Sequence, residues 1–293
     1  MSKPGVFNLT FHRGAQGPAI PTHLVEVPHG ATRTAQYSAL RSRLQEPGPE
    51  DLVDFFHVNT DAGAPELADA VARRFVAERS GACVAVLCAE VPRTFIDVNR
   101  VVDADAASFR EGKVTPGVPP WIHHPEDLEL LRALHATYVA EATRLVDQVG
   151  GRALLLHTYA PRSVDVEVDR QIAAALRRAW SSEVAPTWPL RPEVDVIGRD
   201  LNGSLLVPEG VLARLVADFA SLGVTVADGK TYPMHPSTQA FHHAARWPGR
   251  VLCVEVRRDR VCRWDPFAEM AVDPESVERY AGPLATALGG DAS

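Results

Sequence analysis

Apolar runs bounded by glycine and proline alternate along this chain with stretches whose apolar positions recur three and four apart. His23-Leu24-Val25-Glu26-Val27 reads as a short strand closed by Pro28-His29-Gly30, and residues 52–58 read as a second extended run leading into Asn59-Thr60-Asp61. A helix follows: Pro65 suits its first turn, Glu66 lies near its positive end, and Leu67, Val71, Phe75 and Val76 form one stripe before Gly81. Residues 82–87 predict the next buried strand. Residues 103–124, with several prolines and glycines, predict a long surface excursion of the kind that is functional or mobile. Pro125-Glu126-Asp127 opens the longest helix, whose stripe of Leu128, Leu131, Tyr138, Ala142, Leu145 and Val149 ends at Gly150-Gly151.

The next stretch, Arg152 to Tyr159, is the one around which the pattern turns. Three consecutive leucines read as a strand covered on both faces, and it ends on His157 and Thr158. A helix over 168–180, a Pro/Trp-rich connection at 186–192, a strand at 194–198 and a helix over 209–222 follow. A short strand at 224–226, a polar loop through Thr238, a strand at 250–256 and a helix after Asp273 complete the pattern. Strands alternating with helices predict an α/β fold, a single three-layer α/β/α domain over residues 1–293 with a mostly parallel sheet.

Composition narrows the function classes. Hydrophobic residues make up 46% of the 293, enough for a full core. A net charge of −7 without a long basic run argues against nucleic acid as a partner. The polar N-terminus and the absence of an early apolar stretch argue against a signal peptide or membrane span. Cys83, Cys88, Cys253 and Cys262 form no Cys-x-x-Cys pair and read as reduced core thiols of a cytoplasmic protein.

Chemistry gathers where the strands end. His29, Asp61, His157 and Asp195 stand at predicted strand ends, the place where ligands collect in open α/β sheets. Within the last core strand, alternation puts Glu255 on the face of Val251 and Cys253. A carboxylate among such neighbours is either a buried ion pair with Arg257 or another arginine, or a proton shuttle whose pKa burial has raised. Two histidines and one carboxylate around an open position form a hydrolytic zinc site, although no His-Glu-x-x-His pattern is present and the ligands must come from separate strands. His123-His124 and His242-His243 read as surface or loop residues, because adjacent side chains on a regular element diverge. His57 is left as a candidate partner to the site.

Taken in order, several fragments resemble the N-formylglutamate amidohydrolase family, which is related to the zinc carboxypeptidases. They are Val27-Pro28-His29-Gly30, Asn59-Thr60-Asp61, Arg93-Thr94-Phe95-Ile96-Asp97-Val98-Asn99-Arg100, Leu156-His157-Thr158-Tyr159, Asp195-Val196-Ile197-Gly198 and Val254-Glu255-Val256-Arg257. The resemblance implies a zinc-carboxypeptidase-like fold and one Zn2+ held by His29, His157 and Asp61. Thr32 stands where the carboxypeptidases have a glutamate ligand. It further implies Glu255 as general base, Asn99 and Arg100 as the grip on a substrate carboxylate, and Arg93 as oxyanion stabiliser or second carboxylate grip. Tyr232 falls on a substrate-side loop and Asp195 is counted with it, but Met234-His235-Pro236 replaces the glycine pair that often follows the tyrosine.

The implied activity is metal-dependent hydrolysis of a small, carboxylate-bearing N-acyl amino acid such as N-formyl-L-glutamate. A carboxypeptidase-like enzyme acting on peptides or cell-wall fragments, a metal-free binding protein on the same scaffold, and a metal other than zinc stay open at this stage.

Overall fold

In a computed structural model describing residues 1–112, 114–207 and 209–289, seven strands form one mixed sheet in the order β1-β3-β2-β4-β7-β5-β6. These are β1 (Phe7–Arg13), β2 (His23–Val27), β3 (Cys83–Ala89), β4 (Ala153–Tyr159), β5 (Val194–Val196), β6 (Val226–Asp228) and β7 (Val251–Arg257). The inner strands β3, β2, β4 and β7 run parallel; β1 joins β3 and β5 joins β7 antiparallel. The expected α/β fold with a mostly parallel mixed sheet is what the chain adopts.

Alternation along each strand sends side chains to two separate cores. Val25, Val27, Leu154, Leu156, Leu252, Val254 and Val256 face one core, completed by Leu67, Val71 and Phe75 of α3 (Ala64–Glu78), Leu215 and Phe219 of α7 (Glu209–Ser221) and Leu284 of α9 (Pro274–Gly289). Leu24, Ala153, Leu155, Val251 and Cys253 face the other. That side is covered by α2 (Leu52–Asn59), α5 (Pro125–Gln148), α6 (Ile172–Ala179) and α8 (Gln239–Arg246). Glu26, His157 and Glu255 share the parity of this second core, so the polar groups of the inner strands open on the α5 side.

Several elements depart from the sequence reading. Residues 52–58 are helical, not extended: Leu52, Phe55 and Phe56 stand at helical spacing and are buried, and Asp54 accepts from Arg177 Nε of α6 at 2.6 Å. Asp61 therefore lies in the turn between α2 and α3 rather than at a strand end.

The 103–124 stretch is no plain surface excursion. It contains α4 (Ala106–Glu111) and buries Phe109, Trp121 and Ile122, while Lys113 lies outside the described residues. Strand β1 is an edge strand with Phe7 and Leu9 inward, α1 spans Thr34–Arg41, and α8 is capped by Thr238, whose Oγ1 accepts from Phe241 N. None of these three was expected. His242 and His243 consequently sit on a helix, His243 buried.

Candidate active site

The carboxyl ends of the inner strands supply the site. His29 follows β2, Arg93 and Asp97 follow β3, and His157 and Glu255 stand directly opposite one another on β4 and β7. Asp61 arrives from the α2–α3 turn, where Gly63 has φ +85° and a Cβ would stand 2.8 Å from Cys262 Sγ and from a Val261 methyl. Both the dihedral and the space require glycine there. Two bonds tie this turn to the histidine segments: Thr60 Oγ1 donates to Ala31 O at 2.8 Å and Thr158 Oγ1 donates to Ala62 O at 2.9 Å.

Three ligand atoms converge as a result. His29 Nδ1 and Asp61 Oδ2 are 3.2 Å apart, His157 Nδ1 and Asp61 Oδ2 3.0 Å, and the two Nδ1 atoms 3.1 Å. All three residues are buried, and they are the one His/Cys/Asp/Glu group among the described residues with metal-ligand geometry. Ligands about 2.0–2.2 Å from a shared ion stand about 3 Å apart, so the triangle has the size a metal such as zinc requires. His29 Nε2 faces Asp97 Oδ1 at 2.8 Å. A proton on that nitrogen, shared with the carboxylate, leaves the Nδ1 lone pair directed at the triangle. Burial alone would raise the Asp61 pKa, but the imidazoles of His29 and His157 outweigh it and hold the group ionised.

Glu255 borders the triangle in a different state. Burial pushes its carboxyl up to about 7, the nearby Asp61 adds to the rise, and His157, Arg191 and Arg93 oppose it. Its Oε2 has no hydrogen-bond partner. A carboxyl that loses and regains a proton near neutrality is suited to shuttling one.

Comparison with known proteins bears on this arrangement. The model of the family described as N-formylglutamate amidohydrolase matches residues 22–262. The chain belongs to the N-formylglutamate amidohydrolase family. No curated protein matches the sequence. The crystal structure of N-formylglutamate amidohydrolase from Ralstonia eutropha JMP134 is 17% identical with a TM-score of 0.56, over 97% of this chain and 98% of that one. The crystal structure of a gene product of Agrobacterium tumefaciens is 14% identical with a TM-score of 0.53, over 96% of this chain and 92% of that one. At such identities the likeness is one of fold.

Within this member of the N-formylglutamate amidohydrolase family, the remaining predicted residues surround the triangle unequally. Arg93 Nη2 donates to Asp97 Oδ2 at 2.8 Å and Nη1 lies 3.8 Å from Asp61 Oδ1, while its buried Nε has no partner. Arg100 is buried and already engaged, by Asp97 Oδ2 at 3.4 Å and by the carbonyls of Thr115 and Asn99. Asn99 is fixed by the start of α8: Gln239 N donates to its carbonyl and Ala240 N to its Oδ1.

Both oxygens of Asp195 accept backbone bonds, from Lys230 N at 3.1 Å and Thr231 N at 2.7 Å. Both Asp195 oxygens are thus taken up by the loop that carries Tyr232, which differs from the expectation that they meet a ligand directly. Met234 and His235, in place of the glycine pair, are buried and anchor the far end of that loop. His57 lies on α2 with its Nδ1 unpartnered and does not join the triangle.

Two residues were not singled out from the sequence. Asp97 enters the sequence reading only as part of the Arg93 to Arg100 stretch, yet it binds His29, Arg93, Arg100 and Asn99 N at once. Burial alone would raise its pKa; Arg100, His29 and Arg93 reverse this and hold it well below the usual carboxylate range. Its place inside the Arg-x-x-x-Asp-x-Asn-Arg motif was the available signal. Arg191, from the Pro/Trp-rich connection, donates from Nη2 to Tyr232 Oη at 2.8 Å, and no pattern in its neighbourhood marked it.

Proposed function

We propose that the protein is a metal-dependent amidohydrolase that removes the acyl group from a small N-acyl amino acid, with N-formyl-L-glutamate the first substrate to test. The observation that carries this reading is the buried triangle of His29 Nδ1, His157 Nδ1 and Asp61 Oδ2, with a protonatable Glu255 opposite His157. A divalent ion held there, zinc by the donor set, supplies the positive charge that acidifies water and polarises an amide carbonyl.

The chain's own groups account for the rest. Glu255 accepts the proton of the attacking water on its unpartnered oxygen and returns it to the departing amine. Arg93, with a free Nε and little exposure, faces the place where negative charge develops on the carbonyl oxygen. Asn99 and Arg100 hold a substrate carboxylate, their backbone locked by α8 so that little ordering is left for binding. Asp97 keeps His29 in one tautomer and spaces the two arginines.

The inward packing of Phe109 and Trp121 favours a small substrate over a peptide. Four unbridged thiols fit a reducing, cytoplasmic setting. Among the described residues no helix is long and apolar enough to cross a membrane.

The test is a substrate panel on the zinc-loaded protein, comparing N-formyl-amino acids with short peptides. Turnover of the formyl-amino acids with slight or no peptide cleavage is expected. Peptide cleavage at comparable rates, or no turnover of any N-acyl amino acid, contradicts the reading.

A further inference from the structure

Arg258, three residues beyond Glu255, opens the short helical turn Arg258–Arg260 that follows β7. It is buried, at 2% exposure, and its one guanidinium joins three segments. Nη1 donates to Val58 O of α2 at 2.9 Å, Nη2 donates to Thr158 O of β4 at 3.1 Å, and Nη2 also stands 4.0 Å from Asp61 Oδ1. Val58 precedes Asp61 by three residues and Thr158 directly follows His157. The fork therefore spans the two segments that bring Asp61 and His157 together. Its own turn backs the same junction: Arg258 O accepts from Val261 N and Cys262 N, and Val261 and Cys262 are the residues that crowd Gly63. Trp264 lies against the guanidinium, its ring centroid 5.6 Å from the central carbon.

The two oxygens of Asp61 meet different surroundings. Oδ2 gathers His29 Nδ1 at 3.2 Å, His157 Nδ1 at 3.0 Å and the backbone N of Thr158 at 3.3 Å. Oδ1 faces guanidinium groups instead, Arg93 Nη1 at 3.8 Å and Arg258 Nη2 at 4.0 Å. Arg93 is shared with Asp97, whereas Asp61 is the only carboxylate of the described residues within ion-pair distance of Arg258. A buried cation needs its counter-charge, so the pair is held together from the inner side of the site. Burial pushes Arg258 down to about 10 and Asp61 opposes the fall, which leaves the group charged at neutral pH. The consequence lies in coordination: a carboxylate that offers both oxygens fills a position that a hydrolytic metal site keeps open.

Resting on the metal-dependent reading above, we infer that Arg258 is a positioning residue of the metal centre, holding Asp61 Oδ1 away from the ion so that Oδ2 alone is offered to it. The same fork fixes the α2–α3 turn against the end of β4, and with it the spacing of Asp61 from His157. Arg258 acts through Asp61 in this role and touches no substrate.

Two readouts test this, both taken where the metal-free protein is folded: zinc affinity by chelator competition, and the visible absorption of the cobalt-substituted protein. They are compared in wild type, Arg258→Lys, Arg258→Met and the control Arg257→Lys, whose arginine pairs with Asp259. Arg258→Lys keeps the charge and loses the planar fork, so it isolates the geometry. Both Arg258 variants are expected to bind zinc about tenfold or more weakly than wild type. Their cobalt absorption should fall as Oδ1 joins the coordination and raises its number, while Arg257→Lys matches wild type in both. Wild-type values in Arg258→Lys, a loss of affinity with the wild-type cobalt spectrum, or equal weakening in Arg257→Lys would overturn the inference. A variant that is only less heat-stable, with neither readout changed, overturns it as well. If Arg258→Met does not fold, Arg258→Lys decides alone. Failure of the metal reading itself looks different, since wild type would then bind neither zinc nor cobalt.

Discussion

Glu26 is a buried carboxyl and Glu255 a half-buried one on the same face of the sheet, and their surroundings give them different roles. Glu255 stands opposite His157 on the neighbouring strand with one oxygen unpartnered, and the charges of His157, Arg191 and Arg93 favour its ionised form. Replacing it by glutamine keeps the shape and removes the proton acceptor, so Glu255→Gln is expected to retain metal and lose about a hundredfold to ten-thousandfold in kcat. Steady-state kinetics with metal analysis checks this; near-normal turnover would remove Glu255 as the base.

Glu26 has only Tyr138 Oη, donating to Oε1 at 3.1 Å, and burial pushes it up to about 7 from its ordinary 4.5. Because the folded pKa lies above the unfolded one, its contribution to stability is complete below about pH 4.5 and is lost as pH rises through about 7. The span corresponds to about 3 kcal/mol. Glu26→Gln should therefore gain on wild type in denaturant unfolding as pH goes from 5 to 8, and an unchanging gap would refute the raised pKa.

Glu255 was legible because alternation fixes its face. Asp97 was underread because an aspartate flanked by arginines looks like a surface ion pair until the fold buries it against His29. Arg191 was invisible, since its partners Tyr159, Ser163 and Tyr232 come from three separate segments.

At the scale of elements, the strand carboxyl ends were readable because buried parallel strands are near-continuous apolar runs, and β2, β3, β4 and β7 all fell where such runs stand. The run at 52–58 misled because Val53, Phe55 and His57 alternate with polar or apolar neighbours, while the helical spacing of Leu52, Phe55 and Phe56 is equally present. Packing against α6 decided between them. Helix α8 and strand β1 were missed because each has one apolar face and a polar remainder, too short to register as a period.

The α2–α3 turn is the most sensitive junction, since one glycine lets Asp61 reach both histidines. Gly63→Ala is expected to destabilise the fold by about 2 kcal/mol or more, from a positive φ and from contact with Val261 and Cys262. Zinc affinity should fall with it, by about tenfold or more. Thermal unfolding with and without zinc, and a chelator competition, measure the two effects. Unchanged affinity would show that Asp61 does not depend on this turn.

For the whole molecule, one sheet draws His29, Asp61 and His157 from three places far apart in sequence and closes them beneath a rim of arginines. An ion bound only by the folded chain stabilises it by mass action, so chelation should lower Tm and zinc restore it. A Tm indifferent to both would mean that the triangle holds no ion.

The most direct test of the account is the metal content of the protein after zinc loading and desalting, measured in wild type and in His29→Ala, Asp61→Asn and His157→Ala variants that retain the native circular dichroism. Wild type is predicted to hold about one zinc per chain and each variant far less. A wild type that holds none, or variants that hold as much as wild type, would contradict the shared metal centre on which the proposed chemistry depends.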